Sequence, residues 1–181
     1  MSRSGRRSTL ILVLGGAASG KSDFALQVAM KAVKPTVKKA FVATGEGLDE
    51  EMAKKIAKHR RTRSSAWETA EVPRDVAVWM RRHGPEYGVI LVDCLTMWLS
   101  NRMDPDGDEA ACEKDLHTLL QAVRQTSARV VMVGNELGMG LVPADPESRR
   151  FRELSGRLNR LVADEADEAY MVVAGLSIRL K

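Results

Sequence analysis

The chain has 181 residues, 44% of them hydrophobic, and its 28 Lys and Arg against 24 Asp and Glu give a formal charge of +4. A chain of this length buries roughly 70% of the surface that it exposes when unfolded, so it can form a core without disulfides or a structural metal. The small basic excess suits anionic small molecules rather than a dedicated nucleic-acid binder, and two cysteines without metal-ligand spacing favour a reducing, cytoplasmic location.

The N-terminal residues 1–9 are basic and are predicted to form a flexible tail before a single domain, residues 10–181. The apolar run from Leu10 to Leu14 is five residues long, which is too short for a signal peptide or a membrane span. Such a run is typical of a strand that is buried on both faces of a parallel sheet. No other stretch of the sequence approaches the length of a transmembrane helix.

Helices and strands alternate along the rest of the chain. Apolar runs predict further strands at residues 40–44, 89–93, 129–133 and 168–173, a brief one at 67–71 and a short end at 178–180. Apolar residues at helical spacing predict helices over 22–33, 49–61, 147–164 and within 106–125, and another from Pro73 to the Gly84-Pro85 stop. This alternation predicts an α/β fold with a mostly parallel sheet, helices on both faces and ligands at the strand C-terminal ends.

A phosphate-binding loop is predicted between the first strand and the first helix. The residues are Gly15, Gly16, Ala17, Ala18, Ser19, Gly20, Lys21 and Ser22, which match G-x-x-x-x-G-K-[ST]. Backbone N–H groups and the helix N-terminus would hold phosphates, Lys21 would reach the β and γ phosphates, and Ser22 would bind Mg²⁺. The alternative is a small-residue turn that matches by chance, and the strand-to-helix setting argues against it.

Asp93 follows the apolar run that begins at Val89, and an acid in this position holds Mg²⁺ in phosphate-loop proteins. The alternative is a helix N-cap, because Leu95, Trp98 and Leu99 could begin a helix. The presence of the loop at Gly15 favours the metal role.

Of the three histidines, His83 and His117 have the setting of surface residues. His59 lies among Lys58, Arg60, Arg61 and Arg63, which would disfavour its protonated form and could bind phosphate oxygens. From these residues alone, a basic helix end with a solvated histidine is the better interpretation.

Further motifs extend the pattern along the chain in order. They are Phe41 to Thr44, Asp49 to Met52 leading to His59, Arg60 and Arg63, Trp67 to Glu71, Val92 to Thr96, Asn135 to Pro143, and Phe151-Arg152 with Gly156 to Asn159. With the loop at Gly15, these stretches resemble the bifunctional adenosylcobinamide kinase/adenosylcobinamide-phosphate guanylyltransferase family. The likeness runs from about Leu10 to the C-terminus.

The resemblance implies a P-loop NTPase fold of the RecA-like type and an enzyme of cobalamin biosynthesis. Such an enzyme phosphorylates adenosylcobinamide with ATP or GTP, and then transfers GMP from GTP to adenosylcobinamide phosphate through a guanylyl-histidine. His59 falls on the guanylylated histidine, and Lys21 is the other catalytic residue. Residues carried over to nucleotide binding are the loop from Gly15 to Ser22, Thr44, Gly45, Glu46, Arg60, Arg61, Thr62, Arg63, Glu71 and Asp93, with Mg²⁺ held by Ser22 and Asp93.

The resemblance also implies a homo-oligomer, with a trimer as the expected form, that takes small-molecule substrates and neither nucleic acid nor a membrane. One departure is Ala18, where many members have Arg, and the missing cation could weaken phosphate binding or one of the two activities. The glycine-rich segment Asn135 to Pro143 is the best placed mobile loop to cover the large corrinoid substrate.

Two other classes of function compete with this one. The first is a simpler P-loop kinase of another small metabolite, in which His59 is a surface residue. The second is a non-enzymatic or nucleic-acid-stimulated P-loop ATPase, which would use Arg3, Arg6, Arg7 and the basic residues between 54 and 63. Basic clusters beside such a loop more often serve phosphates already in the site.

Overall fold

The computed structural model describes residues 8–31, 33–46, 66–103 and 108–181. Within them, seven strands form one sheet in the order β3-β2-β4-β5-β1-β6-β7. The strands are β1 Thr9–Gly15, β2 Lys39–Ala43, β3 Glu68–Glu71, β4 Val89–Asp93, β5 Arg129–Asn135, β6 Glu168–Val173 and β7 Leu176–Arg179. The described helices are α1 Lys21–Met30, α2 Val76–His83, α3 Leu95–Arg102, α4 Glu109–Arg124 and α5 Pro146–Glu165, with a 3₁₀ turn at Gly84–Glu86.

All neighbouring strands run parallel except β6 and β7, which form an antiparallel pair. Side chains alternate across a strand, so Leu10 and Leu12 of β1 join one core while Ile11 and Val13 join the other. Helix α1 covers the second core, and α2, α4 and α5 cover the first. The predicted mostly parallel sheet with helices on both faces is therefore confirmed, and the continuous apolar runs follow from burial on both faces.

The predicted N-terminal boundary is wrong by two residues. Thr9 is the first residue of β1, and Ser8 is only 2% exposed. The Thr9 N–H donates to the Ala128 carbonyl at 3.3 Å. Thr9 therefore belongs to the sheet, although its polar side chain does not continue the apolar run from which the strand was predicted.

The predicted start of α2 at Pro73 is also wrong, because α2 begins at Val76. The Val72 N–H donates to the Ala43 carbonyl at 2.8 Å and prolongs the pairing of β3 with β2. The Pro73 carbonyl accepts a hydrogen bond from Asn101 at 3.0 Å, which holds Pro73 in the connection that precedes the helix.

Other differences concern α1, α3, several strand ends and one segment. Strand β2 covers Lys39–Ala43 rather than residues 40–44, and β5 continues to Asn135 rather than ending at residue 133. Helix α1 ends at Met30 rather than at residue 33, and Leu95 does begin a helix, α3. The short C-terminal end is a full strand, β7. The predicted helix over residues 49–61 lies outside the described residues. Over the described ranges, no helix has the length and apolar content that crossing a membrane requires.

Candidate functional site

The loop between β1 and α1 has a tightly wound backbone. Gly20 has φ 88° and Ala18 has φ 55°, and a Cβ on Gly15 would lie 2.5 Å from the Ser19 Oγ and 2.7 Å from the Val172 carbonyl. Glycine is therefore required at position 20 because the backbone there is left-handed, and at position 15 because β6 approaches too closely for a side chain. The Gly175 N–H also donates to the Ser19 carbonyl at 2.9 Å, so the turn between β6 and β7 supports the loop from behind.

The polar side chains of the loop have few partners within the described chain. Lys21 folds back over the loop and donates from Nζ to the Gly16 carbonyl at 3.1 Å. The Ser19 hydroxyl is buried and has no hydrogen-bond partner among the described residues. Ala18 is exposed, so its methyl leaves open the space that a longer side chain would occupy. The loop is thus a concave set of backbone N–H groups with one lysine ammonium above it, which suits phosphate oxygens.

Ser22 and Asp93 meet across the end of β5. The Ser22 hydroxyl donates to Asp93 Oδ2 at 3.3 Å, although 71 residues separate the two in sequence. The sheet order places β5 between β1 and β4, so only the strand arrangement brings them together. The alternative role for Asp93 is not observed, because α3 has Cys94 as its N-cap and no side-chain cap.

The pair of oxygen donors fits Mg²⁺. This ion is usually held by one or two protein oxygen ligands together with substrate phosphates and water. In the described part of the chain no group of three His, Cys, Asp or Glu side chains could hold a metal by itself. A hydroxyl and a carboxylate beside a phosphate loop are therefore the donor set expected of a magnesium site that forms with the nucleotide.

The Thr44 side chain is hydrogen-bonded to the backbone at the end of β4. It is completely buried, its hydroxyl donates to the Cys94 carbonyl at 2.7 Å, and the same oxygen accepts from the Cys94 N–H at 2.8 Å. Its own N–H donates to the Asp93 carbonyl at 3.1 Å. The hydroxyl is therefore committed to the backbone that carries Asp93 and is not directed at a ligand.

Buried amides that the sequence analysis missed extend this network. Asn101 of α3 donates from Nδ2 to the Thr44 carbonyl at 2.7 Å, and Asn159 of α5 donates to the Asn135 carbonyl at 3.0 Å. The Thr96 hydroxyl accepts from the Asn135 N–H at 2.9 Å. These bonds tie the ends of β2 and β5 to the helices that cover them. A polar residue at a position where helical spacing predicts a buried side chain is the sequence pattern that could have indicated these amides. Asn159, which shares a helix face with Ser155 and Val162, is an example.

The other predicted nucleotide contacts are spread along the edge of the sheet. Gly45 and Glu46 follow β2 and are half-buried. Glu71 ends β3 and is exposed, with β2, β4 and β5 between it and β1, a separation of roughly 19 Å at the usual strand spacing. The structure does not bring Glu71 to the phosphate loop. His59, Arg60, Arg61, Thr62 and Arg63 lie outside the described residues.

The environment of Cys94, the cysteine next to Asp93, lowers the reactivity of its thiol. Burial, aided by the negative charge of Asp93, raises the pKa of the Cys94 thiol to about 11. This environment therefore favours the neutral thiol, which is a weaker nucleophile than the thiolate.

Solved structures share this architecture. The flagellar accessory protein FlaH from Methanocaldococcus jannaschii superposes with TM-score 0.57 at 14% identity, covering 97% of this chain and 79% of that one. A RadB recombinase gives 0.52 at 16% identity, covering 92% and 74%, and the KaiC-like protein PH0186 from Pyrococcus horikoshii gives 0.53 at 14%, covering 91% and 71%. Together with the loop from Gly15 to Ser22 and the acid at Asp93, they define a P-loop NTPase of the RecA-like type.

A narrower assignment comes from sequence. The model of the family "Cobinamide kinase / cobinamide phosphate guanyltransferase" matches residues 11–180, so the chain belongs to this family. The bifunctional adenosylcobalamin biosynthesis protein CobU of Salmonella typhimurium is 36% identical over 184 residues, covering 95% of this chain and 99% of that protein. CobP of Pseudomonas aeruginosa is 35% identical over 170 residues, covering 94% and 96%. The family resemblance read from the sequence is confirmed.

Proposed function

We propose that this chain phosphorylates adenosylcobinamide with ATP or GTP, and then transfers GMP from GTP to adenosylcobinamide phosphate to give adenosylcobinamide-GDP. The observation that carries the proposal is the family match over residues 11–180, joined to a phosphate loop whose Ser22 faces Asp93. The names of the relatives CobU and CobP, which include "bifunctional" and "adenosylcobalamin biosynthesis", support it.

In the kinase reaction, the protein mainly positions and stabilises charge. The aminopropanol hydroxyl of adenosylcobinamide attacks the γ-phosphorus, the bond to the β-phosphate oxygen breaks, and a nucleoside diphosphate and a proton leave. Lys21 and the loop N–H groups hold the phosphates, and Ser22 and Asp93 are the residues that would hold Mg²⁺. That ion, when bound, neutralises charge on the phosphate oxygens.

In the guanylyl transfer, we assign the nucleophile to His59. Its neutral imidazole attacks the α-phosphorus of GTP and expels pyrophosphate, which leaves a phosphoramidate on the protein. The phosphate of adenosylcobinamide phosphate then attacks the same phosphorus and releases the histidine. The motif around His59, with Arg60 and Arg63 beside it, supports the assignment, because guanidinium groups stabilise phosphate oxygens.

The test is incubation with GTP and Mg²⁺ followed by intact mass measurement and peptide mapping. We expect a GMP adduct on His59. The His59→Ala variant should lose the adduct and the guanylyl transfer while keeping most of the kinase reaction, which needs no covalent protein intermediate. His83→Ala, which removes an exposed histidine paired with Glu86, is the matched control and should keep both activities. An adduct on another residue, or one that persists in His59→Ala, would contradict the assignment.

The setting of the enzyme is proposed on the same basis. Cys94 and Cys112 are buried free thiols, which fits the reducing cytoplasm. The family resemblance implies a homo-oligomer, with a trimer as the expected form. This stays a prediction, and light scattering on the purified protein measures the oligomeric mass.

A further inference from the structure

The loop between β5 and α5 presents apolar side chains to solvent. Met139, Leu141 and Val142 are 80%, 96% and 73% exposed. Adjacent exposed apolar side chains of this size usually mark a contact with a ligand or partner.

The backbone of the same loop is tied down by two arginines of α5. Arg152 donates to the carbonyls of Leu141, at 2.7 Å, and Gly138. Arg149 donates to the carbonyls of Pro143, at 2.9 Å, and Ala144, at 2.6 Å. The expected mobile cover over residues 135–143 is thus fastened to a helix, which favours a preformed wall and reduces the ordering cost of binding.

A cavity of about 450 Å³ lies against this wall. Most of its lining is apolar, with Met103, Leu137, Leu141 and Phe151 contributing, while Glu147 and Arg152 supply hydrogen-bonding groups. The volume and the lining match those of small-molecule sites, which are largely apolar with a few polar groups that orient the ligand.

The cavity adjoins the phosphate-transfer site. Its loop starts where the Glu136 N–H donates to the Gly15 carbonyl at 3.1 Å, at the first residue of the phosphate loop. Its other wall includes Ser100 of α3, the helix that begins directly after Asp93 and Cys94. Ser100 lies five residues beyond Leu95, about 7.5 Å along the helix. The cavity is therefore separated from Ser22 and Asp93 by about the length of this helix segment, a distance that a ligand with an extended arm can span.

We propose that this cavity, with the loop tip from Met139 to Val142, binds the corrin ring of the phosphoryl acceptor, an inference that rests on the proposed function. The acceptor is a broad macrocycle with apolar faces and an amide-bearing rim, and its reactive hydroxyl is on a short arm. The apolar wall suits the ring, and Glu147 and Arg152 suit the amides. A nucleotide fits less well, because Glu147 lines the cavity together with Arg152, so the lining offers phosphates no net positive charge.

The test is the Leu141→Ser variant, assayed with adenosylcobinamide as acceptor. Leu141 is 96% exposed, so the substitution removes a ligand contact without removing a core contact. We expect the KM for adenosylcobinamide to rise about tenfold, the usual effect of losing one apolar contact in a pocket. The KM for the nucleotide should stay unchanged, and equilibrium dialysis with adenosylcobinamide alone should show the same weakening. Leu176→Ser on β7, a leucine that is 74% exposed at the sheet edge beyond β6, is the matched control and should behave as the wild type.

Any other result for Leu141→Ser contradicts the assignment of the cavity to the corrin ring. A wild-type KM and dialysis result for Leu141→Ser would overturn it, and a change of oligomeric mass at unchanged KM would show that the loop tip contacts a second copy instead. If the wild-type protein phosphorylates adenosylcobinamide and Leu141→Ser has the same KM and the same binding, the assignment of the cavity is wrong but the proposed function stands. A wild-type protein that neither binds nor phosphorylates adenosylcobinamide refutes the proposed function as well.

Discussion

Thr44 shows how a buried hydroxyl can act on a site that it does not touch. Its oxygen bonds both the N–H and the carbonyl of Cys94, and its N–H bonds the carbonyl of Asp93. Three bonds from one residue thereby hold the end of β4, and so the carboxylate that faces Ser22. Thr44 is a positioning residue in this arrangement, and Asn101 holds it in turn through the Thr44 carbonyl.

Replacing Thr44 tests this role. Thr44→Val keeps the shape but leaves the Cys94 N–H without its partner, while the Cys94 carbonyl keeps its bond from the Trp98 N–H. The unpaired N–H costs about 1–3 kcal/mol in the free energy of unfolding. We expect the Mg²⁺ concentration for half-maximal kinase activity to rise about 10-fold or more, the usual effect of losing an outer support of a metal ligand. Thr44→Ser keeps the hydroxyl and should restore most of the Mg²⁺ dependence. A Thr44→Val enzyme that is only less stable, with the wild-type Mg²⁺ titration, would leave Thr44 a purely structural residue.

At the scale of elements, α4 and α5 are joined by ion pairs as well as by the core. Glu109, in the first turn of α4, accepts from Arg150 Nε at 2.7 Å and from Arg157, and Arg157 also donates from Nε to Glu113 at 2.9 Å. The hydrogen bonds from Arg150 and then Arg157 hold the pKa of Glu109 below its usual range. Helix α5 also carries Arg149 and Arg152, so this link holds the helix that anchors the loop beside the cavity.

We expect Glu109→Gln to lower the free energy of unfolding by about 1 kcal/mol at neutral pH and low salt, and by less at high salt. The Glu109 side chain is 34% exposed, and solvent screening limits the effect to this size. The pKa is lower in the folded state, so the contribution is present above the unfolded pKa and is lost as pH falls through the folded pKa. Urea denaturation near pH 7 and near pH 3 measures the difference. Glu153→Gln, at an exposed position of α5, is the control, and an equal loss at both pH values would rule out the ion pairs as the cause.

At the scale of the whole molecule, the site joins segments that are distant in sequence. The loop after β1, the end of β4, the loop after β5 and the start of α5 meet at the carboxyl edge of one sheet. A nucleotide bound there, as proposed, would contact elements from both halves of the chain. Binding to the folded state alone should therefore stabilise the whole domain.

Lys21→Ala measures this coupling. With Mg²⁺ and GTP at a hundredfold excess over Kd, binding contributes about 2.7 kcal/mol. For a domain of this size that raises Tm by roughly 5–10 °C. Lys21→Ala should lose most of the shift and keep the Tm of the free protein, because the ammonium contacts only the Gly16 carbonyl among the described residues. Lys34→Ala removes an exposed lysine and should keep the shift. A full shift in Lys21→Ala would mean that the nucleotide binds elsewhere.

Features that depend on neighbouring residues could be predicted from the amino-acid sequence alone. Five apolar residues from Leu10 predict a strand buried on both faces, and the glycines around Lys21 predict a tight strand-to-helix turn, because backbone conformation and burial periodicity are local properties. Asp93 was found in the same way, from its place directly after an apolar run. The family resemblance added the proposed chemistry, including the role of His59.

Which of these residues come into contact depends on the folded arrangement of the strands and helices. Strand order places Asp93 beside Ser22 and leaves Glu71 on the far strand β3. It also turns the Thr44 hydroxyl toward Cys94 and closes the cavity between α3, α5 and the loop at Leu141. Such contacts join residues tens of positions apart in the sequence. Their free energy depends on the packing of the whole sheet, so a local sequence pattern cannot predict them.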